Sequence, residues 1–236
     1  MSHPLTDPGR RLVIGHRGDR AHAPENTIES LTLAVEAGVD ALEFDVRATG
    51  DGVAVLMHDA TLERTVHDAR GLLSLFSLAE VSSLDASRGN AGWTGGRTAV
   101  PTLEEVLDRF RGVPIVIDVK EAAVTAPTVA LVHKLGLQGS IVVGSDNAIV
   151  MGHLYRSGLR ACASPTDAIK VLVMSLVGLA PRNPPYSVLS LPTHRAGWEL
   201  PIARMVASAR RCLSQCFRLG SSARLCSSSF SCTLSY

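Results

Sequence analysis

A 236-residue chain with 46% hydrophobic and 19% charged residues has the composition of a folded protein with a large core, and one domain is the default at this length. A formal net charge of +1 gives no one-signed surface of the kind that nucleic-acid binders or acidic tails carry. The most apolar run, Ala168–Ala180, is 13 residues long and contains Lys170, too short to span a bilayer. Met1–Arg11 has no apolar h-region, so a cytoplasmic chain without a signal peptide is the expectation.

Arg11–Gly15 reads as a short buried strand that delivers His16, Arg17 and Gly18 at its end. Asn26 is expected to cap the next helix, with Glu29 three residues on and an apolar stripe of Ile28, Leu31 and Val35. Gly38 is placed to end it. Val39–Arg47 is then a second strand, and strand–helix–strand implies parallel pairing. Along it Val39, Ala41, Glu43, Asp45 and Arg47 share one face and Leu42, Phe44 and Val46 the other. The first face is small and apolar at its start and acidic at its end. A strand that enters a packed barrel interior and finishes at a functional mouth has that character. A turn at Thr49–Gly52 and a short run, Val53–Met57, bring His58 and Asp59 back to the same neighbourhood. Two carboxylates beside an imidazole suit a hard cation with an acid–base group at hand.

Residues 61–101 are rich in glycine and lack periodicity apart from a short helix near Leu78–Leu84, and so long an irregular segment is usually functional or inserted. Thr102 with Glu105 forms a capping box for a helix stopped by Gly112. Val113–Lys120 repeats the earlier pattern, with Val116, Asp118 and Lys120 on one face. A helix through Pro127–Leu135, a strand at Ser140–Gly144, a helix near Asn147–Arg156, a strand at Leu159–Ala163 and a helix at Pro165–Leu179 follow. Tyr186–Leu191 is the last strand and Leu200–Arg211 the last helix, giving six barrel strands.

His16–Gly18 (HRG), Pro24–Thr27 (PENT), Glu43–Val46 (EFDV), His58–Asp59 (HD) and Asp118–Lys120 (DVK) stand in this order, mostly at strand ends. The arrangement resembles the glycerophosphodiester phosphodiesterase family from about Leu12 to about Ala209. The resemblance implies a (β/α)8 TIM-type barrel that hydrolyses glycerophosphodiesters to glycerol 3-phosphate and an alcohol with a divalent cation, Ca2+ or Mg2+. Carried over by residue, Glu43, Asp45 and Asp118 hold the metal. His16 and His58 form the general acid–base pair, and Arg17 and Lys120 bind the phosphate. Neither histidine is assigned as acid or base, and water and the substrate's own hydroxyl both remain open as nucleophile. The family usually has glutamate where Asp118 stands, and the shorter side chain suits the flexible shell of calcium better than the strict octahedron of magnesium. Glu25 and Asn26 are read first as loop and cap residues, with a ligand role second, and Trp93 as equally a loop residue or a substrate contact. The implied partner is a small-molecule substrate, without nucleic acid or stable membrane insertion.

Past Arg211 the pattern stops. Residues 212–236 hold four of the five cysteines, at Cys212, Cys216, Cys226 and Cys232, with many serines and no acidic residue. The spacing is not that of a structural zinc site. The expectation is a barrel domain over 1–211, with 61–101 inserted, left incomplete at about six strands. An irregular tail produced by a shifted reading frame or truncated gene would follow. Two other readings stay open: a catalytically impaired phosphate- or calcium-binding remnant, and a related barrel phosphodiesterase of the phospholipase C or sphingomyelinase D kind.

Overall fold

The computed structural model describes residues 12–189 together with Leu5, 194–195, 198–199 and Met205. Five strands form a parallel sheet in the order β1 (Ile14–His16), β2 (Ala41–Ala48), β4 (Ile115–Val119), β5 (Ile141–Gly144) and β6 (Arg160–Ala161). A short β3 (Ala54–Leu56) pairs antiparallel with the end of β2. Beyond β6, Cys162 makes a parallel bridge to Val188, and Ala163 donates to the Val188 carbonyl at 2.7 Å. Among the described residues the sixth predicted strand is therefore present as a single bridge at Val188. Its final residues, the Leu200–Arg211 helix apart from Met205, and the 212–236 tail lie outside the described residues.

Apart from β3, each strand lies beside its predecessor in the chain. That is the winding of a singly wound barrel, since a doubly wound sheet reverses its strand order. Among the described residues the sheet is open, an α/β barrel with six strand positions. The helices α1 (Ile28–Glu36), α3 (Leu103–Arg109), α4 (Ala122–Lys134) and α5 (Ala148–Leu154) cover its outer face. Leu42, Phe44 and Val46 of β2, Ile115, Ile117 and Val119 of β4, and Ile141 and Val143 of β5 pack there against Leu31, Leu107, Val132 and Met151. On the opposite parity, Val116, Val142 and Cys162 meet Leu5 and Val188 in a small interior cluster. The parity read from β2 alone thus separates core from mouth.

Local chemistry accounts for most helix starts. Thr102 caps α3 in a capping box with Glu105, Ser164 caps α6 (Pro165–Leu176) with proline in its first turn, and Asn147 caps α5. Two expectations need correction. Thr27, not Asn26, caps α1, and the reciprocal partner is Ser30, because Asn26 has left-handed backbone geometry at φ 57°. The helix expected from Pro127 begins at Ala122 and carries Pro127 inside its second turn, near enough to the start to be accommodated.

The 61–101 segment has a core of its own. Leu62, Val66, Leu73, Val81 and Val100 pack against Val55 and Met57, around a short helix α2 (Leu78–Ser82) capped by Ser77 and Glu80. Gly50 donates to the Phe76 carbonyl at 2.7 Å, and the Asp51 carboxylate accepts from the Leu78 amide, fastening the segment to the β2–β3 turn. Among the described residues no helix is long and apolar enough to cross a membrane.

Phe44 is fully buried between β2 and the helices, whereas Leu75 is 75% exposed. Phe44→Ala is expected to cost roughly 3–5 kcal/mol, while Leu75→Ala stays within about 0.5 kcal/mol. Urea unfolding checks this, through a lower midpoint at constant slope for the first variant alone.

Candidate active site

Parallel register builds the mouth of the barrel. His16 lies opposite Glu43, and Asp45 opposite Asp118, so four polar side chains from three adjacent strands reach one end of the sheet on the same parity. Immediately after β1 the chain turns tightly. Arg17 adopts φ 59° and Gly18 φ 82°, and a Cβ on Gly18 would lie 2.5 Å from the Ser30 backbone carbon. The turn aims the Arg17 amide at Glu43, donating to its Oε2 at 3.1 Å and to its carbonyl at 2.8 Å.

The Arg17 side chain spans two carboxylates, with Nε 3.1 Å from Asp45 Oδ2 and Nη1 donating to Glu25 Oε1 at 2.9 Å. Asn26 holds Asp45 from the other side. Its Nδ2 donates to Asp45 Oδ2 at 2.9 Å and its Oδ1 accepts from the Asp45 amide at 3.2 Å. Lys120 lies 2.7 Å from Asp45 Oδ1 and 2.5 Å from Asp118 Oδ2. His16 Nε2 is 3.7 Å from Glu43 Oε2. His58 joins from the end of β3, its Nδ1 2.6 Å from Asp59 Oδ1. With Arg47, Lys120, Asp146 and Asn147 it lines a cavity of about 400 Å³ at the mouth.

Ligand atoms of Glu43, Asp45 and Asp118 lie within 4.8 Å of one another. Burial pushes the Glu43 carboxyl well above the carboxylate range, and the charges of Asp45 and Asp118 push it further. Burial also raises Asp118, to about 6, against the pull of Lys120. Asp45 goes the other way. Burial opposes its charge, but Lys120, Arg17 and the Asn26 amide outweigh that and hold it below the usual range. The same two carboxylates raise Lys120 despite its burial. Burial, then Arg17 and Arg20, bring His16 down to about 4, so its imidazole is neutral near pH 7.

Glu43 Oε1 and Asp118 Oδ1 are buried with no hydrogen-bond partner. Buried carboxylate oxygens left in that state are costly. Oxygens of this kind, crowded at one point and short of positive charge, are the donor set for a hard divalent cation. The residues present therefore fit a metal ion.

All seven residues singled out from the sequence line this mouth. Three further residues hold them there: Asn26 and Glu25, for which the sequence put a ligand role second to cap and loop, and Arg64, which it did not single out and which bonds both Glu25 and Asp59. The isolated position of Asn26 before a threonine that can itself cap was the available signal. Trp93 donates to the Gly96 carbonyl at 2.6 Å, within its own loop.

Fold and site define a parallel α/β barrel with a cation-ready acidic cluster, two imidazoles and two cationic side chains at its strand ends. The profile described as "Glycerophosphoryl diester phosphodiesterase family" matches residues 16–161, and the chain belongs to that family. A probable glycerophosphodiester phosphodiesterase 1 of Mycobacterium tuberculosis is 34% identical over 156 residues, covering 61% of this chain. The match spans only 57% of that relative's own length. A glycerophosphodiester phosphodiesterase of Caldanaerobacter subterraneus is 37% identical over 170 residues, covering 64% of this chain and 69% of the relative. Among solved structures, a glycerophosphodiester phosphodiesterase from Agrobacterium tumefaciens superposes with a TM-score of 0.70 at 26% identity, over 86% of this chain and 84% of that one. An Oleispira antarctica phosphodiesterase in complex with the product sn-glycerol-3-phosphate superposes with a TM-score of 0.56 at 29% identity, over 64% of this chain and 65% of that one.

Asn26 combines two demands, a left-handed backbone and two bonds to Asp45. Asn26→Gly keeps the first and loses the second, and is expected to cost about 1–3 kcal/mol. Asn26→Ala loses both and falls about 1 kcal/mol lower still. Chemical denaturation of the two variants should rank them in that order.

Proposed function

We propose that this chain hydrolyses glycerophosphodiesters to glycerol 3-phosphate and an alcohol, using a divalent cation and the two histidines. The observation that carries the reading is the convergence of Glu43, Asp45 and Asp118, two of them with orphaned buried oxygens, beside Arg17, Lys120 and two imidazoles. The names of the relatives and the product held by the Oleispira structure support the substrate class.

A phosphodiester resists attack because its oxygens carry negative charge, so the first requirement is positive charge around phosphorus. Glu43, Asp45 and Asp118 would hold the cation. Bound there, it would supply charge neutralisation and Lewis acidity. Arg17 presents a planar fork and Lys120 a point charge to the same phosphate. Both are already anchored on Asp45, so little freedom is lost when substrate binds. The second requirement is proton transfer. His16, neutral and buried against Glu43, and His58, at the end of β3, provide one group to take the nucleophile's proton and one to protonate the departing alkoxide. Asp118, one methylene shorter than glutamate, favours calcium, whose shell tolerates irregular geometry.

Glu43→Gln and Asp45→Asn each remove a negative donor, and calorimetric titration with Ca2+ is expected to show affinity lower by at least about tenfold. Unchanged affinity in both variants would place the cation elsewhere.

His16→Ala and His58→Ala are each expected to abolish release of glycerol 3-phosphate from glycerophosphocholine, with substrate binding largely kept. Two groups acting in one reaction are not additive, so the double variant should be little worse than either single one. Mild, multiplying losses would mean that neither carries the proton transfers.

A further inference from the structure

Arg64 belongs to the 61–101 segment, not to a barrel strand, yet its guanidinium reaches two loops of the mouth at once. Nη1 and Nη2 donate to the two oxygens of Glu25 at 2.8 and 2.7 Å, and Nε donates to Asp59 Oδ2 at 2.5 Å. Each carboxylate passes the contact on. Glu25 Oε1 also takes Arg17 Nη1, and Asp59 Oδ1 takes His58 Nδ1. One side chain thus stands behind both the phosphate-facing arginine and an acid–base histidine. We propose that Arg64 is a positioning residue: it fixes the His58 ring through Asp59 and the Arg17 fork through Glu25, and so sets the relation between proton transfer and phosphate.

The chemistry of the bonds gives this content. Although partial burial opposes its charge, Asp59 is held at about 2 by bonds from Arg64 and His58, so it is ionised and can only accept. The proton between it and His58 therefore sits on Nδ1. Nε2 is left as the nitrogen that exchanges a proton with substrate. Without Arg64, Asp59 keeps its charge but loses the contact that holds Oδ1 under the ring. Glu25, nine-tenths buried, would retain Arg17 alone.

A purely structural role makes a different demand. The Arg64 side chain is 44% exposed, and without it the nine-tenths-buried Glu25 keeps its bond from Arg17, so the loss of the Arg64 fork is expected to cost only modest stability. Arg64→Ala should therefore alter function far more than stability, the reverse of a core substitution.

The proposal rests on the reading of His58 as a proton-transfer group, and two readouts on the full chain separate the two. Turnover of glycerophosphocholine with Ca2+ is expected to fall about 10–100-fold in Arg64→Ala, almost wholly in kcat, with the thermal midpoint little changed. Arg64→Lys, which supplies one charge but no fork, should recover only part of the loss. In an Asp59→Asn, Glu25→Gln background the same substitution should have almost no further effect. Independently of turnover, long-range 1H–15N spectra of the His58 ring should show the proton on Nδ1, with the tautomers mixing in Arg64→Ala. A kcat within twofold and an unchanged tautomer would overturn the assignment. So would an undiminished loss in the Asp59→Asn, Glu25→Gln background. If the unsubstituted chain turns over no glycerophosphodiester, the functional reading fails, and the ring-nitrogen spectra alone decide on Arg64.

Discussion

Three carboxylates with ligand atoms within 4.8 Å of one another repel, and burial makes that repulsion stronger. The mouth of this barrel is organised around that problem. Arg17 and Lys120 both lean on Asp45, and the Asn26 amide bonds it as well, so Asp45 stays ionised. Among the described residues Glu43 receives only the Arg17 amide and the distant His16 ring. Two cationic side chains against three acids leave one negative charge in excess, and it shows at Glu43 and Asp118, whose carboxyls burial and neighbouring acids push up. A site so arranged is short of positive charge, which a divalent cation would supply.

The surrounding structure serves the same end at longer range. Arg47, the next residue of the β2 mouth face, is tied by Nε to the His58 carbonyl and by Nη1 to Glu121, and Glu121 also accepts from the Ala48 amide. That ladder joins the loop after β3 to the loop after β4. Its counterpart on the other side runs through Glu25. The mouth is therefore laced together by charge-assisted bonds between loops, while the strands below are held by apolar packing. Neighbouring loops need not be rigid by themselves when their ends are cross-tied in this way.

Much of this was legible in the sequence, for a definite reason. Strand parity is fixed by pleating, so Glu43 and Asp45 on one face and Leu42, Phe44 and Val46 on the other could be separated without coordinates, as could Val116 from Ile117. The helix start with a threonine and a glutamate three residues on, at Thr102, could be read too. What could not be read depends on long-range pairing or on backbone torsion. Asn26 looks like a cap, and only its left-handed backbone and its distance from Thr27's role reveal that it serves Asp45. Arg64 lies in a stretch with no periodicity, and nothing local says that it meets Glu25, 39 positions earlier. The pairing of Val188 with Cys162 is likewise a matter of tertiary contact that strand propensity does not report.

The order of strands in space, the same as their order in the chain, bears on how such a molecule comes into being. Each new strand finds its neighbour already made, so the sheet can grow from one edge during synthesis without waiting for distant sequence. His16, Arg17, Glu43, Asp45, His58, Asp118 and Lys120 all precede Glu121. A nascent chain released only a little past that point would hold every one of these groups on β1, β2, β3 and β4, while the strands that wall the cavity's far side were still to be added. In this topology the reactive inventory comes first, and enclosure comes last.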